Sequence, residues 1–282
     1  MPDFLISKIL NDSIGNLDTN VTIRVPEWAF KPDHWSVAFL RGLSKLTYSW
    51  KNKCVWEVGV GTGINLVVLR NQALSSNWYF SDYDARFVPL AMRNLLSSNG
   101  KRDGLHPLYG SWDLVTPPSR GGLKPPRVDI IFGCLPQVPS EIDLSIGDRL
   151  AHYYDPAHYP SAHLNALGLG LVETLLIKAR DVLAPGGKVV LNLGGRPGLK
   201  SLRSLFSGLG YKPTLVHKET IPQHSGTSLA SLVALEGNGH CDFEFFSDCK
   251  GSKLINARKA EKLRVERATV YHNIYVMAGT LA

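Results

Sequence analysis

The chain has 282 residues, 44% of them apolar, and a formal net charge of +7. That length allows one large domain, or one domain with extensions, built around a sizeable core. No apolar run approaches the roughly 20 residues of a membrane span, and Met1-Pro2-Asp3-Phe4 lacks the basic-then-apolar pattern of a signal peptide. A membrane partner is therefore not expected, and the cytoplasm is the expected compartment. Cys54, Cys134, Cys241 and Cys249 form no paired zinc spacing, nor do His152, His158 and His163, so no metal is expected. Much of the positive excess lies in Lys250, Lys253, Arg258, Lys259, Lys262, Arg264 and Arg267, interrupted by Glu261 and Glu266. A solvated helix face accounts for that run, and no nucleic-acid partner is expected from it.

Residues 1–50 read as an N-terminal helical cover. Pro32 precedes a helix from Asp33, a candidate cap, through Leu40, with Leu43 and Leu46 continuing its apolar face. Trp35 is either a lid over a ligand or part of the core. From Lys53 strands and helices alternate, the mark of a doubly wound parallel sheet. Strand 53–58 leads into helix 63–73, strand 77–82 into helix 86–98, and a short strand 105–110 follows.

The stretch Val55-Trp56-Glu57-Val58-Gly59-Val60-Gly61-Thr62-Gly63-Ile64-Asn65 reads as a buried strand, a glycine turn and a helix start. Its third glycine falls one residue early for a dinucleotide fingerprint, and no Lys-Ser or Lys-Thr follows Gly63 as a P-loop requires. An acid, Glu57, stands two residues before the first glycine. The pattern E-x-G-x-G-x-G resembles motif I of the S-adenosylmethionine (SAM)-dependent methyltransferases. The resemblance implies SAM as cofactor, with S-adenosylhomocysteine as its product, and a cofactor set of Glu57, Gly59, Gly61, Thr62, Gly63 and Asn65. Asp82 ends the next strand about 20 residues on, where an acid takes ribose hydroxyls in such folds. Tyr83, Trp112 and Cys134 are counted with this set. Asp113 joins it as an acceptor for the adenine amine, or else caps a turn.

Val128–Phe132 is the fourth strand and ends in Gly133-Cys134-Leu135-Pro136-Gln137. Ligands of open α/β sheets lie beyond the carboxyl ends of strands, so this segment faces the expected site. Residues 140–164 form an insertion rich in Tyr, His and Pro. A helix over about 165–183, ending near Pro185-Gly186-Gly187, precedes strand 188–193. A helix over about 200–209, a strand near 212–220 and a last apolar strand 229–235 complete the central unit. The tail holds Phe243-Glu244-Phe245-Phe246, a basic helix and the apolar run Val270–Met277.

Amino-group methyltransferases of the glutamine and adenine families carry Asn/Asp-Pro-Pro-Tyr after this fourth strand. Here Cys134-Leu135-Pro136-Gln137 removes the accepting side chain that would orient a nitrogen. A thioether sulfur has no proton to lose and needs no such acceptor. Together with Gly168-Leu169-Gly170-Leu171, Asn192-Leu193-Gly194-Gly195-Arg196-Pro197-Gly198 and Phe243-Glu244-Phe245-Phe246, this segment resembles the methionine S-methyltransferases, which convert methionine and SAM to S-methylmethionine. The plant enzymes also carry a long aminotransferase-like C-terminal region. The chain is similar to the short stand-alone bacterial forms, which are linked to dimethylsulfoniopropionate and related sulfonium metabolites.

The resemblance implies an α/β Rossmann-like class I methyltransferase sheet over residues 51–238, with 239–282 as a C-terminal extension packed on the same domain. It implies L-methionine as the small-molecule substrate and in-line transfer without a general base, with Pro136 and Tyr154 as positioning candidates. The substrate candidates are Trp35, Leu135, Pro136, Arg149, Tyr153, Tyr154, Tyr159 and Arg196. Tyr faces can stabilise a sulfonium as they do other onium cations, or else simply pack. Arg149 or Arg196 can clamp a carboxylate, or form a loop salt bridge. Methylation of a nitrogen on protein glutamine or RNA, and a non-catalytic SAM-binding subunit, are the alternative readings. The oligomeric state is open.

Overall fold

Residues 3–5, 22–72, 77–99, 102–109, 114–115, 127–139, 159, 161–239 and 241–282 are described by the computed structural model. Strands β1 (Asp3–Leu5) and β2 (Thr22–Arg24) form a small antiparallel pair. Helix α1 (His34–Ser44) follows, and its N-terminus is a capping box. The Asp33 carboxylate accepts from Ser36 N at 3.1 Å, and Ser36 Oγ accepts from Asp33 N. Both bonds satisfy backbone donors that a helix start leaves free.

The central sheet begins with β3 (Cys54–Val58), β4 (Asn77–Ser81), β5 (Leu105–Pro107) and β6 (Val128–Gly133). It continues with β7 (Leu183–Gly194), β8 (Tyr211–Pro222) and β11 (Tyr271–Leu281). Two short strands, β9 (Phe245–Phe246) and β10 (Leu254–Ile255), extend it. The order runs β5-β4-β3-β6-β7-β11, with both β8 and β9 paired to β11. Neighbours from β5 to β7 are parallel, whereas β11 runs antiparallel to β7 and β8. Val55, Trp56, Glu57 and Val58 are all buried, as a central parallel strand covered on both faces requires.

The covering helices are α2 (Ile64–Gln72), α3 (Phe87–Asn99), α4 (Ala162–Ala166), α5 (Gly170–Ala179), α6 (Leu199–Gly208), α7 (Ala230–Gly237) and α8 (Ala257–Val265). One core layer joins Leu66, Phe80, Val88 and Phe132 with Phe39 and Leu40 of α1. The opposite layer joins Trp56, Val58, Leu175, Leu191, Phe206 and Met277. Among the described residues no helix is long and apolar enough to cross a membrane.

Three expectations change. The single helix over 165–183 is two helices, because Gly168 adopts φ +73° between them. A side chain there would come within 3.0 Å of the Gln137 carbonyl carbon, so the break is also where the 137–139 segment lies down. Strand β7 then starts at Leu183 and absorbs Pro185-Gly186-Gly187 in a register jump, from Val128↔Leu183 to Ile130↔Lys188. The run 229–235 is helix α7 rather than a strand. Leu229, Leu232 and Leu235 are all buried at helical spacing. A short apolar run does not distinguish the two states by its pattern alone.

Helix α1 crosses β11 where Gly42 meets Val276. A Cβ on Gly42 would lie 2.5 Å from one Val276 methyl and 2.8 Å from the other. Gly42→Ala is expected to lower stability by about 1–3 kcal/mol in urea unfolding through overpacking. Adding Val276→Ala should make the double variant cost less than the sum of the two singles, because the clash is removed; strict additivity would show that the contact carries no strain.

Candidate functional site

The carboxyl ends of β3, β4, β6 and β7 lie along one edge of the sheet, where an open parallel sheet forms its ligand crevice. At the end of β3 the chain turns through Gly59, Gly61 and Gly63 at φ +70°, +52° and +79°. Two of these glycines have separable reasons. A Cβ on Gly63 would come within 2.9 Å of Ala91, so glycine lets α2 start against α3. A Cβ on Gly61 would meet nothing within 4 Å. Its left-handed backbone accounts for the glycine, and the turn presents bare main chain to open space.

The turn is anchored to β4. Val60 N donates to Ser81 O at 3.0 Å, and Gly61 N donates to Asp82 Oδ2 at 2.9 Å. Beneath it, Trp56 Nε1 donates to Ser81 Oγ at 2.9 Å. Asp82 Oδ1 accepts from Asp84 N at 3.0 Å. Asp82 is thus buried and shapes the turn through both carboxylate oxygens. A carboxylate has about four acceptor positions, so these bonds are compatible with its accepting ligand hydroxyls as well. Tyr83, next along, is 47% exposed. Thr62 is buried, and its carbonyl accepts from Asn94 Nδ2 at 2.8 Å.

Glu57 is 1% exposed. Its Oε1 accepts from Asn65 Nδ2 at 2.7 Å, whereas Oε2 has no partner among the described residues. Burial pushes its pKa well above the usual carboxylate range, the Asn65 bond opposes that shift, and the charge of Asp82 adds to it. A buried carboxylate with an open oxygen needs a donor, and a cation best of all.

The segments after β6 and at the end of β7 are tied together by side chains. Asn192 Nδ2 donates to Trp35 O at 3.0 Å and lies 3.3 Å from Cys134 Sγ. Gly194 N donates to Gln137 Oε1. Leu135 sits over the glycine turn, 3.1 Å from where a Gly59 Cβ would be. Pro136 follows it, half-buried. Burial pushes the Cys134 thiol up to about 12. Trp35 reaches the same place from α1. A Cβ on Gly194 would lie 2.7 Å from its ring, and that ring is 5.7 Å from the His272 ring.

Arg196 lines a small crevice with Gln137, Gly194, Pro197, Leu232 and Phe243. Burial alone pushes its guanidinium down to about 10, and among the described residues it has no charge partner. Tyr159 packs with Val138 and Leu171, beside Leu135. Trp112, Asp113, Arg149, Tyr153 and Tyr154 lie outside the described residues. Sequence reasoning missed Asn192 and His272. Each is a buried polar residue in an otherwise apolar strand, and that contrast was the available signal.

No family model matches the chain. It is 29% identical over 254 residues to the methionine S-methyltransferase of Zea mays, covering 82% of this chain and 23% of that protein. It is 28% identical over 275 residues to the Hordeum vulgare protein of the same name, covering 89% and 25%. The chain therefore spans about a quarter of the length of these curated relatives. Among solved structures, the YcgJ protein of Bacillus subtilis superposes with a TM-score of 0.51 at 12% identity, covering 86% of this chain and 97% of that one. A Bacillus halodurans protein assigned as a methyltransferase gives the same TM-score, identity and coverage.

The chain has the class I methyltransferase fold.

In this methyltransferase fold the glycine turn, Glu57 and Asp82 stand on one side of the Cys134–Gln137 segment. Trp35, Asn192, Arg196 and His272 stand on the other. The thiol of this segment is only half-buried, and its reactivity is testable. Cys249 is exposed, whereas Cys134 is protonated at neutral pH because its pKa is raised. Iodoacetamide near pH 8 is expected to label Cys249 readily in the folded protein and Cys134 only after denaturation, as read by peptide mass spectrometry. Equal labelling of both would show that the end of β6 is open.

Proposed function

We propose that the protein methylates the thioether sulfur of L-methionine with SAM, giving S-methylmethionine, as a first step towards dimethylsulfoniopropionate or related sulfonium metabolites. The observation that carries this reading is the end of β6. Where an amine methyltransferase needs an acceptor to orient its nitrogen, this chain has the Cys134 thiol, held protonated by burial and engaged with Asn192. The names of the curated relatives support the same reaction.

The residues fit the cofactor. Glu57 Oε2 is a buried oxygen without a partner among the described residues, suited to the ammonium of an amino-acid moiety. Gly61 leaves open space at the turn, and Asp82 beside it suits ribose hydroxyls. SAM supplies an electrophilic methyl on a sulfonium, which a thioether sulfur accepts in line with no proton to remove. The chain's own task is then to position and to exclude water. Leu135 forms the wall next to the glycine turn, and Trp35 covers the β7 end of the site. Arg196 offers a guanidinium to the substrate carboxylate. A half-buried cation without a charge partner is costly, and a carboxylate relieves that cost through charge-assisted hydrogen bonds.

Purified protein incubated with SAM and L-methionine is expected to yield S-methylmethionine by mass spectrometry, and Glu57→Ala should abolish it with loss of SAM binding. SAM binding without any methionine product would overturn the reading. Arg196→Leu should raise the KM for methionine about 10- to 100-fold with SAM affinity retained. The chemical step at saturating substrates should be flat across roughly pH 6.5–8.5, since no base is used. His272 is held below that window and Cys134 above it, so neither introduces a step. A rise with an apparent pKa near 7–8 would point to a nitrogen acceptor instead.

A further inference from the structure

His272 is 2% exposed, and among the described residues neither of its ring nitrogens has a hydrogen-bond partner. It is the second residue of β11, whose run His272 to Ala278 is otherwise buried and, apart from Asn273, apolar or aromatic. Asn273 beside it is fully engaged, accepting from Thr220 Oγ1 and donating to Tyr275 OH. An imidazole buried without a partner is unfavourable relative to an apolar side chain, so its place needs a reason.

Register gives that reason. Strand β11 pairs with β7 through Val276↔Asn192 and Ile274↔Gly194, and the ladder continues with Gly195 N donating to Asn273 O at 2.7 Å. Beyond Gly195 the chain leaves the ladder in a turn, with Gly198 N donating to Gly195 O, so Arg196 follows directly on the residue bonded to Asn273. Directly opposed residues of an antiparallel pair point to the same face. Asn192 and Gly194 therefore share a face with Val276 and Ile274, and His272 follows on that face two residues before Ile274. Helix α1 covers that face, with Gly42 on Val276 and Trp35 over both Gly194 and His272. The imidazole lies close enough to Arg196 for the guanidinium charge to add to burial in keeping it neutral. A neutral imidazole always carries one N–H donor. Two donors without hydrogen-bond partners among the described residues thus lie near one another at the end of β7: the imidazole beneath Trp35 and the guanidinium of the turn that follows.

We propose that His272 is a substrate-binding, specificity-determining residue that donates a hydrogen bond to the same α-carboxylate that Arg196 holds. This inference rests on the reading of the substrate as a thioether amino acid and names the residue that makes its carboxylate a requirement.

The test compares L-methionine with its decarboxylated amine, which keeps thioether and ammonium, as methyl acceptors for the wild type, His272→Phe and His272→Gln. SAM affinity measured by calorimetry reports that each variant is folded. His272→Phe is expected to raise the KM for L-methionine about 10- to 100-fold, the worth of a hydrogen bond to a charged group, with little change in kcat/KM for the amine. His272→Gln, which restores a donor, should recover most of the loss. A phenylalanine variant with wild-type KM for methionine, or one that loses both acceptors in equal proportion, overturns the role of His272. A wild-type protein that binds SAM but methylates no methionine overturns the underlying reading, and this inference with it.

Discussion

The antiparallel pairing of β11 with β7 is the constraint on which this end of the sheet depends. Seven residue pairs bind β11 to β7, and eleven pairs bind β8 to its other edge. Without β11, β7 would end the sheet as an exposed edge and β8 would have no partner among the described strands. The same strand supplies Val276, on which Gly42 of α1 closes, so it also sets how near the N-terminal cover approaches. Its first residues bring His272 and Asn273 to the carboxyl edge of the parallel strands, nearly 80 residues after Arg196 in the chain.

A second constraint is the concentration of unsatisfied polarity along that edge. Glu57 Oε2, Asn192 Oδ1 and both nitrogens of His272 are buried without partners among the described residues. Proteins tolerate few such groups, and here they stand around a bare glycine turn and an unpaired guanidinium. The signs are distributed. The carboxylate lies on the glycine-turn side, and the guanidinium lies beyond the Cys134–Gln137 segment. Two zwitterionic amino-acid moieties, one on the cofactor and one on the acceptor, suit such a division. Each would be held at its charged end, with the sulfur atoms meeting between them.

The Cys134–Gln137 segment joins the two halves mechanically as well as chemically. Asn192 binds both Cys134 Sγ and the Trp35 carbonyl, and Gln137 accepts from Gly194. The cover helix is thereby tied to the loop that follows β6. Because these bonds use side chains from the two segments of highest motif content, a substitution in either segment disturbs the other.

The parallel half of the sheet, its glycine turn, Glu57 and Asp82 were legible in the sequence because local signals dictate them. A β-branched strand, φ-positive glycines and an acid at a strand end act over a few residues. The Asp33 cap was legible for the same reason. Helix α7 was not, since Leu229 to Leu235 satisfies helix and strand patterns alike and only burial against its neighbours decides. The break at Gly168 was hidden because its cause is contact with Gln137, about thirty residues away. Residue chemistry alone named Arg196 as a carboxylate clamp. That it stands unpaired among the described residues, in the turn next to the Gly195–Asn273 bond and near His272, follows from a pairing of β7 with β11 that no local pattern encodes. Strand pairing across nearly 80 residues is chosen by the whole packed sheet, so only the tertiary structure could place them together.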